Sequence, residues 1–214
     1  MAPDYNTAMH IGIIGTGNIG STLGRGWSAR HSVAFGTRKP EDAEVRAVVA
    51  AAGVTARAAS VREAAAFGDV VVLATPWAAA LDVVRSAGDL RGKVVVDCTN
   101  PVGPGLRHGL PSGSAAEAIA AEAKGARVVK AFNTAGFEVF ADPRFGTEAA
   151  SLFLCGDDAA AKDTVAGLVR ELGMEPVDCG PLAQARRLEE LALLWISLAV
   201  QGQGRAHAFR LLRR

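Results

Sequence analysis

The sequence has no excess of charge of either sign. Its 23 Lys and Arg residues are nearly balanced by 22 Asp and Glu residues, which leaves a formal net charge of +1, and no basic block is present. Proteins that bind nucleic acid need clustered cations to neutralise backbone phosphates, so nucleic acid is not an expected partner. We interpret the arginines near the C-terminus as a solvated tail; these are Arg210, Arg213 and Arg214.

Cysteine and histidine are scarce and lack the spacing of metal sites. The odd number of cysteines, each at the end of an apolar run and with no C-x-x-C pair, favours buried free thiols in a reducing cytosol over disulfides or metal ligands. The histidines share no ligand spacing either, so we predict no metal. These residues are Cys98, Cys155, Cys179, His10, His31, His108 and His207.

Long apolar runs are also missing. The longest run near the C-terminus, residues 191–200, is shorter than the roughly 20 residues that a membrane-spanning helix requires. Residues 1–7 are polar and lack the basic and then apolar pattern of a signal peptide. We therefore expect a soluble, cytoplasmic protein without a membrane part.

A dinucleotide fingerprint lies near the start of the chain. The apolar run of residues 9–14 meets three glycines spaced as G-x-G-x-x-G, and a helical pattern follows. Strand, tight turn and helix are the context in which this fingerprint binds a dinucleotide. We predict that Gly15 forms the turn, that Gly17 lets the backbone approach a pyrophosphate, and that Gly20 lets the helix pack closely on the strand. The helix N-terminus would face the pyrophosphate.

The end of the second predicted strand, residues 32–36, indicates which dinucleotide is bound. NAD sites usually carry Asp or Glu here to hold the ribose hydroxyls. This chain instead has Thr37, Arg38 and Lys39, which suit a 2′-phosphate dianion. The alternative is a solvated basic turn. Because the position is fixed relative to the fingerprint, we favour NADP over NAD.

Runs of β-branched residues alternate with helical patterns along the rest of the chain. This alternation predicts an α/β fold with a doubly wound, mostly parallel sheet, the Rossmann NAD(P)-binding fold, followed by a C-terminal helical element. We expect a leader at residues 1–8, an NADP-binding domain at 9–180, and C-terminal helices at 181–214 that cover the domain or form a dimer contact. The further strands are predicted at 54–58, 69–74, 93–97, 127–132, 151–155 and 174–178.

Two helices are expected to begin at proline, which is favoured at the first helical position. They start at Pro40 and Pro181. The second of these helices has an apolar stripe at helical spacing, which we expect to be its buried face. The stripe consists of Leu188, Leu191, Leu194, Trp195 and Leu198.

Three strand ends carry distinctive residues that this fold would bring to one crevice. Ligands of doubly wound sheets lie beyond the carboxyl ends of the strands. Thr-Pro and Asn-Pro are also common turn signals, and Trp77 is alternatively a packing residue; convergence on one crevice favours a ligand site. The loop at 102–114 is either a lid or a surface connection. The strand-end residues are Thr75, Pro76, Trp77, Asn100, Pro101, Asn133 and Thr134.

These strand ends offer little acid–base chemistry. No serine nucleophile elbow or clustered carboxylate pair accompanies them, and His108 and Lys130 are only weak candidates. Dehydrogenation of an alcohol normally needs a general base, whereas hydride exchange between two cofactors needs little beyond placement. We therefore hypothesise an exchange between cofactors, with Asn133, Thr134 and Trp77 as the candidate catalytic residues.

Six stretches, spread from the first predicted strand to the last predicted helix, match the pattern of one known family; they are residues 15–20, 37–38, 75–77, 114–117, 155–158 and 180–182. On these stretches, and so over nearly its full length, the chain resembles the NADPH:coenzyme F420 oxidoreductases. The resemblance implies a homodimer formed through the C-terminal helices, with hydride passing between the nicotinamide of NADP(H) and the deazaflavin ring of coenzyme F420. It also implies an NADPH site at Thr16, Gly17, Asn18, Ile19, Thr37 and Arg38.

Two positions depart from that family's pattern. Asp42 stands where members often carry a lysine, and Lys39 is the nearby substitute. In the family, the sequence at the deazaflavin pocket is similar to His-Thr-Ile-Pro, whereas residues 133–136 of this chain are Asn-Thr-Ala-Gly. Residues 129–134 are more similar to the cytosolic domains of six-transmembrane metalloreductases, which pass electrons from NADPH to flavin. The alternatives are therefore an NADPH-dependent flavin or ferric-chelate reductase, and a non-catalytic NADP-binding module.

Overall fold

The β-branched runs form the strands of one central sheet. The computed structural model describes residues 7–214, so residues 1–6 of the expected leader lie outside the described part. Its strands are β1 (His10–Ile14), β2 (Ser32–Thr37), β3 (Ala56–Ser60), β4 (Val70–Leu73), β5 (Val94–Asp97), β6 (Arg127–Lys130), β7 (Arg144–Phe145), β8 (Glu148–Ala149), β9 (Ser151–Gly156) and β10 (Glu175–Asp178).

Helices connect these strands and cover the sheet. A capping box formed by Ser60 and Glu63 begins one of them. The α-helices are α1 (Asn18–Trp27), α2 (Ala43–Ala52), α3 (Val61–Phe67), α4 (Trp77–Ala87), α5 (Ala115–Glu122), α6 (Phe137–Ala141), α7 (Ala159–Glu171) and α8 (Ala185–Leu198).

The sheet has the order β10-β9-β6-β5-β4-β1-β2-β3. Strands β1 to β6 run parallel, β9 is antiparallel to β6, and β10 is parallel to β9. The predicted doubly wound, mostly parallel sheet is therefore confirmed. The chain reverses its direction of winding between β1 and β4, and in such sheets the carboxyl ends of the strands at this point form the ligand crevice.

Both faces of the central strands are buried. Alternate residues of β4 point to opposite sides, so Val70 and Val72 join the apolar cluster beneath α1 and α7, while Val71 and Leu73 join the cluster beneath α3, α4 and α5. Helix α8 adds to the second cluster. None of the helices in the described chain is long and apolar enough to cross a membrane.

Both proline-based helix starts are wrong by a few residues. Helix α2 begins at Ala43, and the carbonyl of Asp42 accepts its first helical hydrogen bond from Arg46. The side chain of Asp42 makes no capping hydrogen bond, so its backbone carbonyl alone begins the helix, and Pro40 lies in the turn before it. At the C-terminal helix, a 3-10 turn at Leu182–Gln184 follows Pro181, and the α-helix begins only at Ala185.

The buried face of α8 overlaps the expected apolar stripe only in part. Leu188 and Trp195 of the stripe are buried. Leu194 is 51% exposed. The helix instead buries a face on which small residues approach the sheet closely and one charged residue finds buried partners. This face consists of Ala185, Leu188, Glu189, Ala192, Leu193 and Trp195.

The C-terminal arginine tail is not uniformly solvated. The guanidinium of Arg210 pairs with Glu148 at 2.7 Å and with Glu175 at 3.6 Å. The backbone N–H of Ser151 donates to the carbonyl of Phe209, which ties the tail to the first residue of β9. This part of the prediction is therefore corrected: a backbone hydrogen bond and two acidic neighbours dock the tail.

Candidate dinucleotide site

The fingerprint glycines form a tight turn between β1 and α1. Gly15 has a φ of +117°, and a side chain there would lie 2.4 Å from the carbonyl oxygen of Ala74. A Cβ on Gly20 would lie 2.1 Å from the carbonyl oxygen of Gly15, so α1 packs directly on the turn. Each geometry fits the task that the sequence predicts for that glycine.

The N-terminus of α1 is open to a ligand. A Cβ on Gly17 would meet nothing within 4 Å, so this face has room for a group outside the protein. Neither a capping side chain nor an acidic residue occupies the first turn of α1. Its N–H groups and helix dipole are therefore available to an anion. Asn18 lies exposed at this end, and Ile19 is half-buried behind it.

A cleft of about 530 Å³ lies where the strand order reverses, and its size falls within the usual range for small-molecule sites. It runs between the fingerprint turn, the end of β2 and the start of α4. Several residues predicted from three separate stretches of the sequence line it together. These are Gly15, Thr16, Thr37, Arg38, Thr75 and Pro76.

Cations mark one end of this cleft. A neighbouring pocket of about 470 Å³ is lined by Thr37, Arg38, Lys39 and Asp42. Both cationic side chains are exposed, and within residues 7–214 neither is paired with a carboxylate. Because Asp42 is the one acidic residue lining this pocket, the net charge of the lining is positive and suits a phosphate.

The end of β4 contributes one polar atom that lacks a hydrogen-bond partner. The Oγ1 atom of Thr75 is buried and makes no hydrogen bond within the described chain. Buried polar atoms are rarely left unpaired, so this hydroxyl at the cleft is a candidate ligand contact. Trp77, the first residue of α4, packs half-buried against the apolar cluster beneath that helix and is not among the residues lining the cleft.

Two asparagines join the other strand ends. The side-chain amide of Asn133 donates to Oδ1 of Asn100 at 3.0 Å, and the amide of Asn100 donates to the backbone carbonyl of Asn133 at 2.9 Å. The same Asn133 amide also donates to the carbonyl of Leu188 in α8 at 3.1 Å. The Oδ1 atom of Asn133 is buried and has no partner among the described residues. Pro101 and Thr134 are buried beside this pair.

The chain reaches Asn133 through a strained residue. Phe132 has a φ of +57°, and bulky residues adopt the left-handed region only where the surrounding structure enforces it. Its ring makes edge-to-face contacts with Trp27 and Phe140 at centroid distances of 5.5 and 5.7 Å. This packing holds the turn that places Asn133 and Thr134 beyond the end of β6.

Neither weak acid–base candidate is free. Lys130 is fully buried, and its ammonium group lies 2.8 Å from Asp97 and 2.9 Å from Glu189. Burial lowers the pKa of Lys130, but the two carboxylates outweigh this effect and leave that pKa above its ordinary value. The Nε2 atom of His108 lies 2.7 Å from Glu189. Lys130 is thus a charged partner of buried carboxylates, which makes it unsuitable as a general base.

Glu189 is the residue that the sequence pattern missed. It lies next to Leu188 on the buried face of α8, with no side-chain exposure. The available signal was the spacing of Ala185, Leu188 and Ala192, which defines a face that includes position 189. The larger leucines suggested a different face instead.

The loop at 102–114 is attached to α8. His108 binds Glu189, and the guanidinium of Arg186 donates to the carbonyls of Leu110 and Gly113. Within the loop, Val102 and His108 form an isolated antiparallel bridge. The segment is thus a surface connection with several side-chain anchors.

The cysteines are all free, as expected; Cys98 and Cys155 are buried, and Cys179 is half-buried. Burial raises the pKa of Cys155 to about 12 and that of Cys98 still further, with Asp97 adding to the effect at Cys98. Both thiols therefore stay protonated at neutral pH and are poor nucleophiles.

A cleft of this kind, placed beside a glycine turn where the strand order reverses, is characteristic of a dinucleotide-binding protein of the Rossmann type. The family model of coenzyme F420-dependent NADP oxidoreductases matches residues 10–101. An F420-dependent NADP reductase of Methanothermobacter thermautotrophicus is 31% identical over 220 residues, which cover 95% of this chain and 94% of that protein. The chain belongs to the family of coenzyme F420-dependent NADP oxidoreductases.

Two further relatives place the chain within a wider group. The crystal structure of a proposed F420-dependent NADP reductase from Arthrobacter sp. FB24 superposes with a TM-score of 0.87 at 31% identity, and covers 96% of this chain and 100% of the other. The metalloreductase STEAP3 of Rattus norvegicus is 32% identical over 192 residues, which cover 87% of this chain but 37% of that protein. The similarity noted for residues 129–134 thus extends over most of this chain.

The two helix-side glycines lead to a paired prediction. Gly17→Ala places its methyl group in open space, so the free energy of unfolding should fall by no more than about 1 kcal/mol, the cost of a poorer residue before α1. The same methyl group should weaken dinucleotide binding roughly tenfold, or about 1.4 kcal/mol, because it would occupy the space predicted for the pyrophosphate. Urea denaturation and titration with NADPH measure the two effects.

The control is Gly20→Ala, whose methyl group meets the backbone of Gly15. Overpacking at this position should cost about 1–3 kcal/mol of stability. Unchanged NADPH affinity in Gly17→Ala would place the pyrophosphate away from the N-terminus of α1.

Proposed function

We propose that this protein is an enzyme that transfers hydride between NADP(H) and coenzyme F420. One observation carries the proposal: the ends of β5 and β6 lead to two neutral amides, Asn100 and Asn133, while the nearby Lys130 and His108 are engaged by buried carboxylates. Such a site suits two reactants that need placement more than acid–base catalysis. Membership of the F420-dependent family supports this choice of acceptor.

The residues of the cleft fit NADP(H). The backbone from Gly15 to Gly20 would hold the pyrophosphate, because the N-terminus of α1 is uncapped and a ligand can approach Gly17 without obstruction. Arg38 and Lys39 would hold the 2′-phosphate, with Thr37 as a further hydroxyl donor. The unpaired hydroxyl of Thr75 would contact the bound cofactor.

The amide pair would orient the rings. NADPH, when bound, supplies a hydride to the deazaflavin carbon. The Oδ1 atom of Asn133 would accept a hydrogen bond from a ring or carboxamide N–H, and Asn100 would hold the amide in place. Reduction of the deazaflavin takes up one hydride and one proton and releases NADP⁺. Since Lys130 and His108 are bound to buried carboxylates, we assign the proton to solvent water.

The metalloreductase match supports a flavin or ferric-chelate acceptor less strongly. Its alignment covers 37% of the relative, whereas the F420-dependent reductases match this chain from end to end. Asn133 stands at the position of the histidine in the His-Thr-Ile-Pro pattern of the family's deazaflavin pocket. A neutral amide at this position is compatible with a deazaflavin ring or a flavin ring. An acceptor assay therefore has to include both classes.

We also propose that residues 9–180 form the NADP-binding domain and that the helices of 181–214 cover it and form a homodimer contact. Helix α8 packs on α5 and β9, and its opposite face leaves Leu194 51% exposed. Apolar side chains on an outer helix face are commonly covered by a second copy in homodimers. We also propose that the protein is cytoplasmic.

Absorbance measures the proposed reaction directly. Oxidised F420 should lose its visible absorbance when the enzyme and NADPH are added, and F420H2 should convert NADP⁺ to NADPH. FMN and a ferric chelate serve as parallel acceptors under the same conditions. Bleaching of FMN alone would replace F420 with a flavin, and tight NADPH binding without reduction of any acceptor would favour the binding module.

Arg38 should discriminate between the two nicotinamide cofactors. Arg38→Ala should weaken NADPH binding by about 1.5–3 kcal/mol, the range for hydrogen bonds to charged groups. NADH binding should change little, because NADH has no 2′-phosphate. Fluorescence titration with both cofactors measures the difference, and Arg187→Ala, at an exposed position on α8, is the matched control. Equal losses for both cofactors would show that Arg38 does not read the phosphate.

Replacement of Asp42 should have the opposite effect on NADPH affinity from replacement of Arg38. Asp42→Asn removes a carboxylate from the pocket that holds Arg38 and Lys39, and Asn is an equally good residue before a helix. NADPH binding should tighten by roughly twofold to fivefold, with a larger gain at low ionic strength, because exposed charges are screened by salt. Titrations at two salt concentrations measure the gain. An equal gain for NADH would contradict this role for the carboxylate.

A further inference from the structure

We propose that Glu189 is a positioning residue, which acts through α8 to hold the side-chain amide of Asn133 in the orientation that the reaction uses. The proposal rests on the proposed function in that Asn133 faces the bound rings. Glu189 itself is fully buried and touches neither cleft nor solvent. Its effect would therefore be indirect.

The ammonium group of Lys130 has all three of its hydrogens engaged. Its acceptors are Asp97 at 2.8 Å, Glu189 at 2.9 Å and the carbonyl of Thr99 at 2.5 Å. The second oxygen of Asp97 accepts from the backbone N–H of Thr99 at 2.8 Å. The ammonium therefore joins the carboxyl ends of β5 and β6 to α8, at the level of the strand-end loops.

Glu189 has partners on both of its oxygens. Oε1 accepts from Lys130 and from the backbone N–H of Ala115, and Oε2 accepts from His108. Ala115 is the first residue of α5, so the carboxylate also lies at a helix N-terminus, where the helix dipole favours a negative charge. A rotation or shift of α8 at this residue would break several charge-assisted hydrogen bonds at once.

The residue before Glu189 makes the contact with Asn133. The carbonyl of Leu188 and Oδ1 of Asn100 take the two hydrogens of the Asn133 amide, at 3.1 and 3.0 Å. If the Asn133 amide were flipped, its Oδ1 atom would face these two acceptor oxygens and be repelled. The two contacts therefore fix the orientation of the amide. The position of the Leu188 carbonyl depends on α8, and α8 is fixed at its next residue by Glu189.

Buried ion pairs also occur where they only hold a fold together, and removal of one partner is then costly. The two roles differ in what a substitution does at Asn133. A purely structural network would lower stability and leave the Asn133 amide and the acceptor step unaffected in the folded protein. A positioning role requires that both change together.

The test uses Glu189→Gln, with Glu190→Gln as the matched control. Both positions lie on α8, but Glu190 is exposed, and it pairs with Arg186 at 3.7 Å. In ¹H–¹⁵N spectra of the ligand-free protein, the Asn133 side-chain amide is assigned by its loss in Asn133→Ala. We expect its chemical shift to move and its hydrogen exchange to quicken by roughly tenfold in Glu189→Gln. The control variant should leave both unchanged.

The kinetic arm uses NADPH and F420. Misplacement of a reacting group typically costs roughly tenfold to a hundredfold in rate, so kcat should fall by that factor in Glu189→Gln. The Kd of NADPH should stay within about twofold, because its proposed contacts lie at the other end of the cleft. If Glu189 acts through Asn133, the rate loss of Glu189→Gln with Asn133→Ala should equal that of Asn133→Ala alone. Additive losses in the double variant would overturn the proposal.

Glu189→Asp serves as a second variant if Glu189→Gln does not fold. It retains the charge but is one methylene shorter, so it cannot reach both Lys130 and His108, and the same amide changes are expected. An unchanged Asn133 amide in a folded variant overturns the positioning role. If the Asn133 amide changes in a Glu189 variant but the wild-type protein reduces no acceptor, the positioning role is supported and the proposed function is rejected. The two failures are therefore distinguishable.

Discussion

The buried ammonium group of Lys130 is the interaction on which the joint between β5, β6 and α8 depends, and this joint underlies the proposed acceptor site. It joins Asp97 of β5 and Glu189 of α8, and none of the three side chains has exposed surface. Removing such charges from water costs several kcal/mol per ion, and only complete pairing offsets that cost. The pairing here is complete on the ammonium, so α8 cannot leave its place without exposing an unpaired charge to the interior. The two strand ends and the C-terminal helix are thereby held as one unit.

The two ends of the crevice differ in polarity for a physical reason. Exposed cations, Arg38 and Lys39, mark one end, where a bound phosphate would retain part of its hydration. The proposed acceptor end has Asn100 and Asn133, whose neutral amides could orient a ring without perturbing its charge. Hydride exchange between two rings depends on their mutual placement more than on proton transfer by the protein. In the proposed reaction, the strained Phe132 and the buried network around Lys130 would both serve that placement.

Local signals predicted the fold well where a few neighbouring residues determine the outcome. The glycine turn and the doubly wound, mostly parallel sheet required only short stretches. The errors lie where the local backbone or a distant contact decided the outcome. Asp42 displaced Pro40 as the start of α2, and the docking of Arg210 depends on Glu148 and Glu175, which are far away in the sequence.

By itself the sequence determined the doubly wound sheet and the dinucleotide cleft, because periodicity and the fingerprint lie in contiguous residues. The tertiary structure alone decided the buried charge network beside the proposed acceptor site. Lys130 meets Asp97 across 33 positions, and His108 meets Glu189 across 81. Which of these charged residues become partners depends on which strands lie side by side and on which face of α8 is buried. No local pattern encodes that choice, since the small residues that select the face act only when the helix is packed.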